Sequence, residues 1–147
     1  MFTYEVKLDP PEAEVDAVMQ VIIAADREAY KSAESFFNWA IFLTDAESGA
    51  HTGGGVTGYA VYDWMYVQFL AVPPRLRGQG VGRALMQRAE AFGRERGIIG
   101  IYLDTFEFQS RGFYEKLGYS LFGQIEDHPR GLHRYFLQKR LDASLPS

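Results

Sequence analysis

Val72-Pro73-Pro74-Arg75-Leu76-Arg77-Gly78-Gln79-Gly80-Val81-Gly82-Arg83 is the stretch on which the reading of this chain turns. It lies between an apolar run, Trp64 to Val72, and an amphipathic run, Ala84 to Arg96. That order reads as strand, glycine-rich turn, helix start. A helix start leaves its first backbone N–H groups without intrahelical acceptors, and the helix dipole adds partial positive charge there. With Arg77 and Arg83 beside it, the turn is a phosphate-binding arrangement. Gly78, Gly80 and Gly82 carry no Cβ, so the backbone can approach a bulky anion closely. The spacing is not that of a P-loop, because no Gly-Lys-Ser/Thr follows, and it is not G-x-G-x-x-G. Read alone, the stretch has a plain alternative, an ordinary strand-to-helix connection.

A second segment, Gly112-Phe113-Tyr114-Glu115-Lys116-Leu117-Gly118-Tyr119, follows about 30 residues on, the reach of one strand–helix repeat. Together the two segments resemble the acetyl-CoA-binding core of the GNAT superfamily of N-acetyltransferases. Arg77-Gly78-Gln79-Gly80-Val81-Gly82 is similar to that family's R/Q-x-x-G-x-G/A signature. Phe113-Tyr114-Glu115-Lys116-Leu117-Gly118-Tyr119 is similar to its F-Y-E-K-L-G-F/Y helix end. The resemblance runs from Val56 to Leu141 and thins before that. It implies one domain over residues 1–147 with an α+β fold, an αβα sandwich whose mixed, mostly antiparallel sheet is flanked by helices. It also implies transfer of an acetyl group from acetyl-CoA to a primary amine, of a small molecule first and of a protein second.

Composition agrees with one stable domain: 147 residues, 47% hydrophobic and 23% charged. The net charge of -4 argues against nucleic acid as the main ligand, since binding a phosphate backbone wants a basic surface. Arg75, Arg77, Arg83 and Arg88 still form a local basic patch. There are no cysteines, which excludes disulfides, a thiol nucleophile and thiolate metal sites. Three separated histidines make no metal-ligand spacing, so no metal is expected. No apolar run reaches membrane-span length and no signal pattern opens the chain, so the expectation is a soluble cytoplasmic protein.

Along the chain, Phe2 to Leu8 alternates as a strand does. Glu12 to Lys31 carries Val15, Val18, Met19 and Ile22 at helical spacing. Phe36 to Leu43 ends as a strand, and Thr44 to Gly55, closing in three glycines, reads as a loop. Val56 to Tyr62 and Met65 to Val72 form a hairpin joined at Asp63-Trp64. Gly82 to Arg96 is a helix closed by Gly97. Ile98 to Leu103 is a buried strand, Gln109 to Leu117 a short helix, and Tyr119 to Ile125 and Arg134 to Leu141 the last strands.

Acetyl transfer needs a neutral amine, a polarised carbonyl and a protonated leaving thiolate. The resemblance assigns polarisation, and pairing with the pantetheine arm, to the backbone of Leu70, Ala71 and Val72, on a strand that splays from its neighbour. It assigns the phosphates to Arg77, Gly78, Gln79, Gly80, Val81, Gly82 and Arg83. It makes Tyr114 the acid; a tyrosine, with its ordinary pKa of about 10, is protonated at neutral pH. The plain alternative for Tyr114 is a core aromatic. Many family members carry a carboxylate base where Gln68 stands, and an amide cannot take a proton. Tyr66, Gln68 and Leu70 share one strand face by the period of two, so Tyr66 and Gln68 are candidates to orient the acceptor. His133 is the alternative base, since an imidazole titrates near ~6.5; a loop histidine is the competing reading. A pantetheine-contacting asparagine of the family is absent, and Gln109 or Ser110 are the candidate substitutes. Tyr30, Phe36, Phe37 and Trp39 are either core or pocket wall. The resemblance further implies a homodimer edge at Tyr135, Phe136 and Leu137. A non-catalytic acyl-CoA-binding or sensing domain on the same scaffold is the alternative function.

Overall fold

In the computed structural model, residues 1–30 and 36–142 are described. The chain divides into two compact units, Met1–Ser35 and Phe36–Ser147.

The first unit holds helix α1, Glu12–Ala29. Pro11 precedes it, where a missing N–H costs nothing, and Glu12 and Glu14 lie in the first turn, complementing the positive end of the dipole. The predicted end at Lys31 lies outside the described residues. Phe2 to Leu8 does not form the expected strand. The alternation is there, but alternation alone makes no strand: a strand exists only where a neighbour completes its hydrogen-bond ladder.

The second unit is a six-stranded sheet. Its strands are β1 (Phe37–Thr44), β2 (His51–Val61), β3 (Trp64–Ala71), β4 (Gly100–Phe106), β5 (Ser120–Glu126) and β6 (His133–Arg140), in the order β1-β2-β3-β4-β6-β5. Every neighbouring pair is antiparallel except β3 and β4. That one parallel pair requires a crossover, which is helix α2 (Val81–Glu95). Helix α3 (Arg111–Lys116) links β4 to β5. The β2–β3 turn lies at Tyr62-Asp63, one residue earlier than expected, with both residues left-handed at φ 51° and 70°.

The core lies on the sheet face that α2 covers. Leu85, Met86, Ala89 and Gly93 of α2 meet Val56, Ala60, Met65, Val67, Ile101, Leu103 and Leu137. Trp39 is buried among them and Phe37 packs against them, so these two of the aromatic candidates are core. Gly93 allows the helix to lie close: a Cβ there would stand 2.9 Å from Met65 Sδ.

Two expectations fail for reasons of packing. His51 to Gly55 belongs to β2 rather than to a loop. Gly53 is left-handed with open space around it, but Gly54 and Gly55 lie where a side chain has little room: a Cβ on Gly55 would come within 2.7 Å of the Ile41 carbonyl oxygen. Tyr135, Phe136 and Leu137 form no edge, because β6 is enclosed between β4 and β5 and the free edge at that end of the sheet is β5.

Candidate active site

The site begins where β3 and β4 part. Their pairing runs from Trp64 opposite Gly100 to Val67 opposite Leu103 and then stops, although both strands continue. A bulge at Gln68 accompanies the stop: on β2, Gly58 faces Val67 while Thr57 faces Phe69, so Gln68 is the extra residue. Beyond it the edge of β3 toward β4 carries backbone groups with no ladder partner, across Leu70 and Ala71.

The bulge also shifts the side-chain phase. Met65 and Val67 are buried, and Leu70 packs against the same core, whereas Tyr66 lies against Tyr59 and Tyr102 with ring centroids 5.2 and 5.0 Å apart. Tyr66 and Leu70 therefore occupy opposite faces, contrary to the simple period of two. Gln68 is exposed.

After β3 the chain makes a 3-10 turn at Pro74–Leu76 and enters the glycine segment. Arg77 Nε donates to the Val72 carbonyl at 3.1 Å and Gln79 Nε2 to the Arg75 carbonyl at 3.3 Å, bracing the turn from within. Gly78 and Gly80 are left-handed at φ 76° and 77°, and a Cβ on either would have nothing within 4 Å. The conformation requires glycine, and the space in front is open. Gly80 caps α2 without any side-chain hydrogen bond, so the amides of Val81, Gly82 and Arg83 keep their donor capacity. Gly82 has a different role: a Cβ there would lie 3.3 Å from Phe113 Cζ, so its absence admits α3. An unpaired strand edge leading to open N–H groups beside Arg77 and Arg83 fits a long ligand bearing phosphates, which is the shape and charge of a coenzyme A thioester.

Tyr114 lies on α3 with its ring edge-on to Phe113 and Tyr119, at centroid distances of 5.1 and 6.1 Å. Burial, with the Asp104 carboxylate adding to it, pushes its hydroxyl up to about 12, so it stays protonated throughout the neutral range. Ser110 precedes α3 as its N-cap, with no side-chain cap bond. Gln109 is committed elsewhere: its Oε1 accepts from the Phe106 amide at 2.9 Å and from the Thr105 hydroxyl at 3.3 Å, closing the turn after β4.

His133 opens β6. The Glu107 carboxylate accepts from its amide at 2.7 Å and lies 3.1 Å from Nδ1. These contacts hold Glu107 below the usual carboxylate range, the amide contributing most. With Nδ1–H directed at Glu107, Nε2 carries the free lone pair.

Residues 9–119 match the Acetyltransferase (GNAT) family. The chain belongs to that family. Blasticidin-S acetyltransferase of Streptomyces morookaense is 42% identical to it over 89 residues, 60% of this chain and 65% of the relative. Acetyltransferase Atu2258 of Agrobacterium fabrum is 37% identical over 87 residues, 59% of this chain and 64% of the relative. The match thus spans just under two thirds of each of these relatives. A solved acetyltransferase from Bacillus cereus ATCC 14579 superposes with a TM-score of 0.79 at 28% identity, over 92% of this chain and 97% of that one. The mixed sheet flanked by helices is the GNAT fold.

This GNAT-family chain holds one polar cluster that sequence reasoning missed. Asp104, the first β4 residue past the last β3 rung, accepts from the Tyr66 hydroxyl and pairs with Arg134, whose Nε and terminal nitrogen lie 2.8 and 2.6 Å from Oδ2. Burial first, then Asp104, pushes the Tyr66 hydroxyl up to about 12. Three residues on two strands and a bulged third make this cluster, and no linear spacing announces it. Alternation along Gly100–Phe106 would have placed Asp104 opposite the buried Leu103, which was the available signal.

Proposed function

We propose that the chain is a single acetyl-CoA-dependent N-acetyltransferase domain whose acceptor is a primary amine of a small molecule. The observation that carries the proposal is the parting of β3 from β4 beyond Val67 and Leu103, on the strand that leads into the glycine turn. A small-molecule acceptor is supported by the resemblance to blasticidin-S acetyltransferase.

Acetyl-CoA supplies the activated acetyl group as a thioester. The amides of Gly78, Gln79, Gly80, Val81, Gly82 and Arg83, with the guanidinium groups of Arg77 and Arg83, receive its phosphates. The backbone edge at Leu70, Ala71 and Val72 receives its amide arm and polarises the thioester carbonyl, where negative charge grows as the amine attacks. Ser110, whose hydroxyl makes no cap bond, is the candidate partner for the arm. Tyr114, which is protonated throughout the neutral range, donates its proton to the departing sulfur. His133, held by Glu107, takes the proton from the amine on Nε2. Asp104 is unsuited to that task, since both its oxygens already accept strong hydrogen bonds. It instead orients Tyr66, which with Gln68 positions the acceptor.

The test is acetyl-CoA binding by calorimetry, followed on the same sample by thiol release across a panel of amines. Binding with turnover on small amines supports the reading. Binding without turnover on any amine favours a non-catalytic acyl-CoA-binding domain. No binding removes the cradle assignment and the proposal with it.

A further inference from the structure

Behind the site lies a buried ion pair that no step above uses. Glu90 of α2 is 3% exposed and pairs with the Lys139 ammonium, which comes from β6. A carboxylate that deep is costly to desolvate, and such pairs seldom add net stability over apolar packing. The ammonium makes a further contact that links it to the chemistry: it donates to the Leu117 carbonyl at 2.8 Å. Leu117 caps the C-terminal end of α3, the helix that bears Tyr114. The amides of Leu117 and Tyr119 both donate back to the Tyr114 carbonyl, at 3.0 and 3.1 Å. The Tyr119 ring, edge-on to Tyr114, also lies beneath the ammonium, 5.6 Å from its centroid. At the other end of α3, Phe113 rests against Gly82 in the first turn of α2. Helix α3 is thus tied to α2 at both ends, and α2 carries the glycine cradle at its N-terminus.

We infer that Lys139, anchored by Glu90, is a positioning residue that fixes the C-terminal end of α3 against α2 and so sets where the Tyr114 hydroxyl stands relative to the cradle. The inference rests on Tyr114 being the proton donor. A lysine serves here because one compact ammonium can ion-pair with a carboxylate while donating to a carbonyl. A small displacement of a catalytic group costs far more in rate than in binding.

The experiment is a cycle of Lys139→Met, Tyr114→Phe and the double variant, with kcat and the KM for acetyl-CoA measured on an amine that supports thiol release. Lys139→Met is expected to lower kcat on the order of tenfold, with KM for acetyl-CoA within about twofold. In the Tyr114→Phe background the same change should leave kcat nearly untouched, because Lys139 acts through the missing hydroxyl. Lys139→Arg, which keeps a cationic donor, should recover most of the loss. An equal loss in both backgrounds overturns the positioning role and leaves Tyr114 intact as the acid. Full turnover of Tyr114→Phe alone overturns the acid, and the inference with it. Lys139→Met leaves Glu90 buried without its counter-charge. Should that variant fail to fold, Lys139→Met/Glu90→Gln, which removes both charges, replaces it in the cycle with the same expected pattern.

Discussion

Two glycine-rich stretches of this chain look alike as text and behave as opposites. Gly54, Gly55 and Gly58 lie in β2, where glycine is required by crowding: a Cβ on Gly58 would stand 1.8 Å from the Tyr66 carbonyl oxygen. Gly78 and Gly80 lie in the turn before α2, where a Cβ would meet nothing within 4 Å and glycine is required by left-handed φ. In the first stretch the missing side chain lets two strands close. In the second it leaves backbone N–H groups exposed to a ligand. Damage to β2 should therefore register as lost folding, and damage to the turn as lost binding in a protein that still folds.

The largest expected effect is on the crowded side. Gly58→Ala should cost more than about 3 kcal/mol, because the methyl group collides with backbone rather than with a movable side chain. A melting temperature within a few degrees of the parent would end the contrast. On the site side, Tyr114→Phe should lower kcat about 100-fold while acetyl-CoA affinity and melting temperature hold; parallel loss of all three would make the ring structural. Gly80→Ala should weaken acetyl-CoA binding about tenfold in calorimetry, with a stability loss of only about 1–2 kcal/mol from the left-handed backbone. If it unfolds the protein as Gly58→Ala does, the two stretches do the same job after all. Arg83→Ala should raise the Kd for acetyl-CoA about threefold at low salt, an effect that shrinks as ionic strength rises. The smallest effect is one of pH. A tyrosine raised to about 12 loses its proton only far above neutrality, so the rate should show no fall from Tyr114 ionisation below about pH 10. A fall that appears in the parent near pH 9 and vanishes in Tyr114→Phe would contradict it.

The contrast also marks what could be read from the chain. The glycine turn, the α2 helix and the α3 helix end were legible because each depends on local signals: left-handed glycines, an amphipathic period, a capping Gly118. Gly53 to Gly55 was misread because the same residue type serves crowding and turning, and only a neighbouring strand distinguishes them. The phase of Tyr66 and Leu70 was misread because the bulge at Gln68 is a property of two strands, not of one. The β6 edge was misread because the last strand in sequence is not the last strand in space. Asp104 escaped notice because Tyr66 and Arg134, its partners, stand 38 and 30 residues away in the chain.

The sequence by itself determined the helices, most strands and the glycine turn, since all of these follow from periodicity, caps and backbone preferences acting over a few residues; Tyr114 as the acid comes from the resemblance of its motif to that of the family. Only the tertiary structure decided where β3 parts from β4, which face each β3 side chain takes, how Glu107 turns His133, and how Glu90 and Lys139 tie α3 to α2. Those features depend on hydrogen-bond partners and desolvation supplied by residues distant in the chain, and such partners exist only once the sheet has closed.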